Sequence, residues 1–280
     1  MMFCKVKGGF RCRRFCLCLF LGIFLVFQLS SCANYSLVFP SEADLDLTGF
    51  ELVFYDDFEG DSLDFSIWES RLEGQRRGGF NHSDQIAVAD GNLVLTAEYK
   101  ESEYGVGWHT AMIQLRKLYT YGYYEIRCLP NSGESFWSAF WLQSENSYKH
   151  ELSQGGIGGA EIDIFETYKS HSLTTKDFIT SSIHCNGFDS DVENIDSERV
   201  AKVYVPNLRS EYTTYGLMWT ESEYIFYVNG RETARTSFAA GTSRALENVI
   251  VSLEVAQEID RDTAETETFL VDYVKIYQMP

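Results

Sequence analysis

Short runs rich in Val, Ile, Tyr, Phe and Thr recur from residue 51 to residue 278, bounded by clusters of Gly, Asn, Asp and Ser. No long stretch of this region keeps the 3.6-residue period of an amphipathic helix, so its backbone hydrogen bonds must be met between strands. The pattern predicts strands near 51–55, 92–99, 111–117, 121–129, 136–142, 161–168, 179–185, 213–219, 224–229, 249–255 and 268–278. Many short strands without helical segments between them give an all-β sandwich. At 280 residues and 45% hydrophobic content, one domain over 51–280 can bury a full core, and a second is not required. Asn229-Gly230, between Tyr224-Ile-Phe-Tyr-Val228 and Arg231-Glu-Thr, marks a tight hairpin.

The first 31 residues stand apart. Lys5, Lys7, Arg11, Arg13 and Arg14 precede an apolar run from Phe15 to Phe27, the layout of a secretory signal peptide and too short for a span of roughly 20 residues. Leu29-Ser-Ser-Cys32 resembles the lipobox of bacterial lipoproteins, which implies acylation of Cys32; an ordinary cleavage site is the alternative. The expectation is an extracytoplasmic protein tied to a membrane by lipid alone, or a secreted one, with residues 33–50 as a polar, acidic tether. Of seven cysteines only Cys128 and Cys185 then remain in the domain, read as two buried thiols with a disulfide as the alternative. No metal-ligand spacing of Cys or His is present.

Glu161-Ile-Asp163-Ile-Phe-Glu166 places three carboxylates in six residues among apolar neighbours. On a strand Glu161 and Asp163 share a face and Ile162 and Ile164 fill the other. Glu166 falls out of phase unless a bulge near Ile164-Phe165 takes up one residue, and bulges gather next to active sites. Clustered carboxylates repel, so at least one keeps its proton at neutral pH. Glycosidic bond cleavage needs that division, one carboxylate ionised and one carboxylic acid. A solvated acidic strand face is the bland alternative.

The stretch resembles the bulged Glu-x-Asp-x-x-Glu signature of glycoside hydrolase family 16, and the likeness extends along the domain. Leu52-Val-Phe-Tyr-Asp-Asp-Phe58-Glu-Gly60 with Leu63-Asp-Phe-Ser-Ile-Trp68 resembles the opening of that family. Asp90-Gly-Asn-Leu-Val-Leu-Thr-Ala97, Tyr121-Gly-Tyr-Tyr-Glu-Ile-Arg127 and Trp137-Ser-Ala-Phe-Trp141-Leu follow in family order. Tyr215-Gly-Leu-Met-Trp219, Tyr227-Val-Asn-Gly230 and Val271-Asp-Tyr-Val-Lys-Ile-Tyr277 complete it.

The resemblance implies a concanavalin A-like β-sandwich jelly roll with a concave substrate cleft. It implies Glu161 as nucleophile, Glu166 as general acid/base, Asp163 as the residue that tunes them, and retention through a covalent glycosyl-enzyme. It puts Trp137 and Trp141 in the cleft as sugar platforms, with Phe136 and Phe140 in the core. Position 138 is Ser where the family commonly has Pro. Strand alternation puts His184 on the cleft side near Glu166, to meet sugar or Glu166. Some members hold calcium with a carboxylate at the position of Asp272, so a structural calcium is an optional cofactor and none is required. Glu125 and Arg127 share a face and are read as a pair within the sheet.

The expected function is endo-acting cleavage of a β-linked polysaccharide by a monomer. Without the leader the formal charge moves from −18 to −23, with 18 basic against 41 acidic side chains. That charge disfavours nucleic acid and tilts the substrate towards a neutral β-1,3- or mixed β-1,3/1,4-glucan. An agarose-type galactan is the alternative, and a lipoprotein that only binds glycan is the alternative from another class. Gly155-Gly-Ile-Gly-Gly159 is no phosphate cradle, because a strand pattern and not a helix follows it; it reads as the end of a cleft-side loop over 143–159.

Overall fold

The computed structural model describes residues 37–38, 45–133, 135–144, 159–167, 177–185, 196–237, 241–256 and 266–280, all within one unit spanning 35–280. The leader, Cys32 and residues 145–158 of the cleft-side loop lie outside the described residues. No helix among the described residues is long and apolar enough to cross a membrane.

In chain order the strands begin with β1 (Leu37–Val38), β2 (Glu51–Asp56), β3 (Trp68–Ser70), β4 (Gly74–Arg76), β5 (Gly79–Asn81) and β6 (Ile86–Ala89). There follow β7 (Asn92–Ser102), β8 (Gly105–Leu115), β9 (Gly122–Leu129), β10 (Phe136–Gln143), β11 (Glu161–Glu166) and β12 (Phe178–Cys185). The last are β13 (Asp196–Tyr204), β14 (Thr213–Trp219), β15 (Tyr224–Val228), β16 (Arg231–Thr236), β17 (Asn248–Val255) and β18 (Glu267–Gln278). All eleven strands expected from the sequence are among them.

The fold is an all-β jelly roll. One sheet runs β13-β12-β11-β10-β17-β8-β3, antiparallel at every step. The other runs β16-β15-β14-β9-β18, and β18 pairs on its far side with β7 along its first half and β2 along its second. Between the sheets lies the main core, to which β10 gives Phe136 and Phe140, β12 gives Ile183 and Cys185, and β9 gives Cys128. Cys128 and Cys185 are buried free thiols.

Away from the core, the β10-β17-β8 face of the first sheet carries a small apolar floor of Met112, Ala139, Trp141 and Ile250, with Trp137 packed against it. This is the cleft face. On the outer face of the second sheet, Leu45, Leu47 and Phe50 pack against Tyr123, Met218, Ile225 and Tyr227, and Leu45 N–H donates to Gly230 O at 2.8 Å. The last residues of the expected tether therefore belong to the domain, because their apolar side chains find a partner there. Asn229 and Gly230 make the expected hairpin with φ of 50° and 71°, the left-handed pair that a two-residue turn demands.

Candidate active site

Local register creates the site. Along β11, Asp163 opposes Ser182 and Glu166 opposes Thr180, so three steps on β11 match two on β12. The extra residue lets Ile164 and Phe165 both turn inward, and both join the core. Phe165 stacks on Tyr215 with ring centroids 4.2 Å apart, which holds the bulge from beneath. Glu161, Asp163 and Glu166 thereby share the cleft face. On the neighbouring strand Trp141 opposes Asp163 and Gln143 opposes Glu161.

Burial dominates the electrostatics of these groups. Loss of water pushes the Glu161 carboxyl up to about 8, with the Asp163 charge adding to it and His184, Arg77 and Arg76 opposing it. Asp163, 4% exposed, is also pushed up to about 8 by burial, against the pull of Arg77. Glu166 is held well above the usual carboxylate range by burial and then by the charges of Asp163 and Glu161. Three such groups titrate as a set, each raised by loss of water and two of them further by a neighbouring carboxylate of the set.

His184 opposes Glu161 in the ladder, and its Nε2 lies 3.2 Å from Asp163 Oδ2. In the ladder Thr180 is the residue opposite Glu166, and the His184 ring lies near enough to Glu166 for its charge to act on that carboxyl as well. The contact with Asp163 has ion-pair distance without the alignment of a hydrogen bond. Glu161, Asp163 and His184 bring one ligand atom each within 4.8 Å of one another. Positive charge is already supplied there by Arg76 and Arg77, and the cluster reads as carboxylate chemistry.

Trp137 and Trp141 both lie on the cleft face, Trp141 buried and Trp137 part-exposed. Trp141 is 7% exposed, its Nε1 donates to Ser252 Oγ at 3.1 Å, and the Arg71 guanidinium sits 5.9 Å from its ring centroid. Trp137 is half-buried, with the Arg77 guanidinium 4.5 Å from its ring centroid. Arg76, the last residue of β4, and Arg77, in the β4-β5 turn, both pair with the buried Glu254, at 2.9 and 2.5 Å. Arg71, Arg76, Arg77, Gln143 and Glu254 were not singled out from sequence. The signal was three arginines within seven residues of a chain so acidic.

Asp272 accepts from Arg127 Nη1 at 2.7 Å. Arg127 pairs with Asp272 rather than Glu125, whose carboxylate accepts from Tyr123 and Tyr273, each at 2.8 Å.

Residues 53–279 match the sequence model of the β-porphyranase A–D GH16 domain. An endo-1,3-1,4-β-glycanase, ExsH, of Rhizobium meliloti is 27% identical over 199 residues, 69% of this chain and 38% of that protein. A β-glucanase of Rhodothermus marinus is 25% identical over 190 residues, 64% of this chain and 63% of its own length. The chain thus covers less than two thirds of either relative. Among solved structures, the laminarinase catalytic domain of Thermotoga maritima superposes with a TM-score of 0.64 at 19% identity, covering 82% of this chain and 98% of that one. LamAcat of Zobellia galactanivorans gives 0.64 at 21% identity, covering 81% and 97%. Matched over most of its length and folded like these enzymes, the chain belongs to glycoside hydrolase family 16.

Proposed function

We propose that the protein cuts a β-linked polysaccharide internally with retention of configuration. The observation that carries this reading is the β11 bulge, which brings the half-buried Glu161 and Glu166 and the buried Asp163 together on the cleft face. Glu166 donates its proton to the leaving oxygen while Glu161 attacks the anomeric carbon; the glycosyl–Glu161 ester forms as the glycosidic bond breaks. Ionised Glu166 then takes a proton from water, which hydrolyses the ester and returns both carboxyls to their starting states. Asp163, between them, adjusts their proton affinities and is itself met by His184. A protein that only bound glycan would gain nothing from three crowded carboxyls that repel one another.

The substrate we favour is a β-linked galactan of the porphyran–agar kind, supported by the match of residues 53–279 to the β-porphyranase domain. This reverses the tilt towards neutral glucan drawn from overall charge, since the acidic surface is interrupted beside the carboxylate cluster by Arg71, Arg76 and Arg77, the last two paired with Glu254. A β-1,3- or mixed β-1,3/1,4-glucan is the second reading, favoured by the ExsH and Rhodothermus marinus relatives. Membrane attachment through a lipid on Cys32, outside the cytoplasm, completes the proposal. The test is oligosaccharide release from porphyran, agarose, carrageenan, laminarin, barley β-glucan and xyloglucan by the protein and by Glu161→Gln. Products from one polysaccharide that vanish in the variant support a hydrolase and name its substrate. No product from any, with glycan binding unchanged by the substitution, overturns it.

A further inference from the structure

Outside the carboxylate cluster, a chain of side-chain hydrogen bonds leads from Arg71 to the nucleophile. Arg71 Nη2 donates to Gln143 Oε1 at 2.7 Å, and Gln143 Nε2 donates to Glu161 Oε2 at 2.6 Å. A second arm leaves the same guanidinium: Nη1 donates to Gln114 Oε1, and Gln114 Nε2 donates to Glu69 Oε1 at 2.5 Å. Guanidinium has donors only, so each amide must turn its oxygen towards Arg71. Its NH2 group is then aimed at a carboxylate. Neither amide orientation is free to flip while Arg71 stays.

Arg71 is itself fixed. Its N–H donates to Met112 O at 2.8 Å, its carbonyl accepts from the buried Asn81 Nδ2 at 3.3 Å, and its guanidinium faces the Trp141 ring. Gln143 is fixed from β17, since Asn248 Nδ2 donates to its carbonyl at 3.2 Å. Gln143, which bonds Glu161, therefore sits on β10, and Arg71, which bonds Gln143, sits on backbone hydrogen-bonded to β8. The carboxylate is thus held from ordered strands, as a reacting group requires.

We propose that Arg71 and Gln143 are positioning residues for Glu161: the guanidinium locks the amide, and the amide holds Oε2 in place and favours the ionised carboxylate. The inference rests on the reading of Glu161 as nucleophile and assigns the groups that keep it ready. A donor aimed at a carboxylate stabilises its charged form, and polarisation by Arg71 strengthens that donor. The other groups facing Glu161 are Asp163 and Glu166 on its own strand, His184 on β12, Arg76 at the end of β4 and Arg77 in the β4-β5 turn. Desolvation and Asp163 oppose ionisation there, so the donor from Gln143 acts against them.

The test follows the Glu161 carboxyl by 13C NMR titration in the full-length protein, its resonance assigned by Glu161→Gln, beside the pH profile of kcat/KM on whichever polysaccharide is cut. In Gln143→Met and Arg71→Met the Glu161 midpoint and the acid limb are expected to rise by about one pH unit. Glu69→Gln, at the end of the other arm, should leave both where they were. Gln143→Glu keeps the shape and replaces the donor by a like charge, so its midpoint should rise further; it serves if the Met variant does not fold. An unmoved Glu161 midpoint in a folded Gln143 variant overturns the proposal. Because the titration needs no substrate, a protein inactive on every polysaccharide would sink the hydrolase reading while the NMR result still decides this one.

Discussion

Ser138 donates its backbone N–H to Thr167 Oγ1 at 2.9 Å, one residue beyond Glu166. Thr167 N–H returns a bond to Ser138 O at 3.0 Å, and Ser138 Oγ donates to Asn131 Oδ1 at 2.7 Å. All three residues are buried. Serine at a position where the family commonly has proline thus joins β10 to the end of β11 with a donor that proline lacks.

Replacing Ser138 by Pro should therefore be harmful here. It removes the N–H that Thr167 Oγ1 accepts and the hydroxyl that bonds Asn131 Oδ1 and Asn131 N–H, while the Thr167 hydroxyl keeps its own bond to Ser138 O. A buried polar group that loses its partner costs about 1–3 kcal/mol. Thermal unfolding should show a fall of at least ~3 °C. Polysaccharide cleavage should fall as Glu166 loses its fixed neighbour, whereas Ser138→Ala, which keeps the N–H, should fall less. Equal losses in the two variants would show that the backbone donor does not matter.

The entry to β11 is set by a close approach. Gly159 has φ of +96°, and a Cβ there would lie 2.1 Å from Ser144 Cβ and 3.2 Å from Ala245 Cβ. Gly159→Ala combines backbone strain with a contact between two chain segments, and a destabilisation of at least ~2 kcal/mol is expected by chemical denaturation. Adding Ser144→Gly removes the worse contact and leaves the φ strain, so the double variant should recover part of the loss. Absence of any recovery would place the whole effect in the backbone.

The core of this fold is legible in the sequence because alternation is strong wherever one strand face meets the core. Phe136 and Phe140 against Trp137 and Trp141 sorted onto opposite faces, as did Ile183 and Cys185 against His184. The phase slip between Asp163 and Glu166 was readable because an isoleucine and a phenylalanine side by side have one apolar place to go. Missed strands lack that contrast. β3, β4 and β5 have three residues each, too few for a period, and β16 is a polar edge strand, Arg231-Glu-Thr-Ala-Arg-Thr236. The arginine ledge was hidden for another reason: Arg71, Arg76 and Arg77 meet Gln143 and Glu254 only through pairings more than 70 residues apart in the chain.

Glu247, fully buried beside the entry to β11, gives a pH-dependent prediction. Its Oε1 accepts from Ala160 N–H at 3.1 Å and from Ser243 Oγ at 2.5 Å, whereas Oε2 has no partner. Burial pushes this carboxyl up to about 8. The folded protein holds the proton between about pH 4.5 and 8 while the unfolded chain releases it, so stability from this residue is full below about 4.5 and falls as pH rises through that window. Glu247→Gln imitates the protonated acid. It should match the wild type in melting temperature at pH 4 and exceed it at pH 8, by on the order of a few kcal/mol at most. Glu247→Ala should be less stable than either at pH 4, having lost the bond to Ala160. A difference between the Gln variant and wild type that does not change with pH would show that Glu247 is ionised in the fold.

Azide can separate the roles of the two outer glutamates. In Glu166→Ala, cleavage of polysaccharide should fall ~10²- to 10⁴-fold, because no acid protonates the leaving oxygen. An aryl glycoside of the same sugar, whose leaving group needs no proton, should still acylate Glu161. Azide then attacks the glycosyl-enzyme without help from a base and gives a glycosyl azide of retained configuration. In Glu161→Ala, azide enters the space left by the nucleophile and attacks the substrate directly, giving the inverted azide with Glu166 still acting as acid. Product configuration by NMR reads the result. Retained azide from the Glu161 variant and inverted azide from the Glu166 variant would exchange the two roles; inverted product from both would leave no covalent step at Glu161.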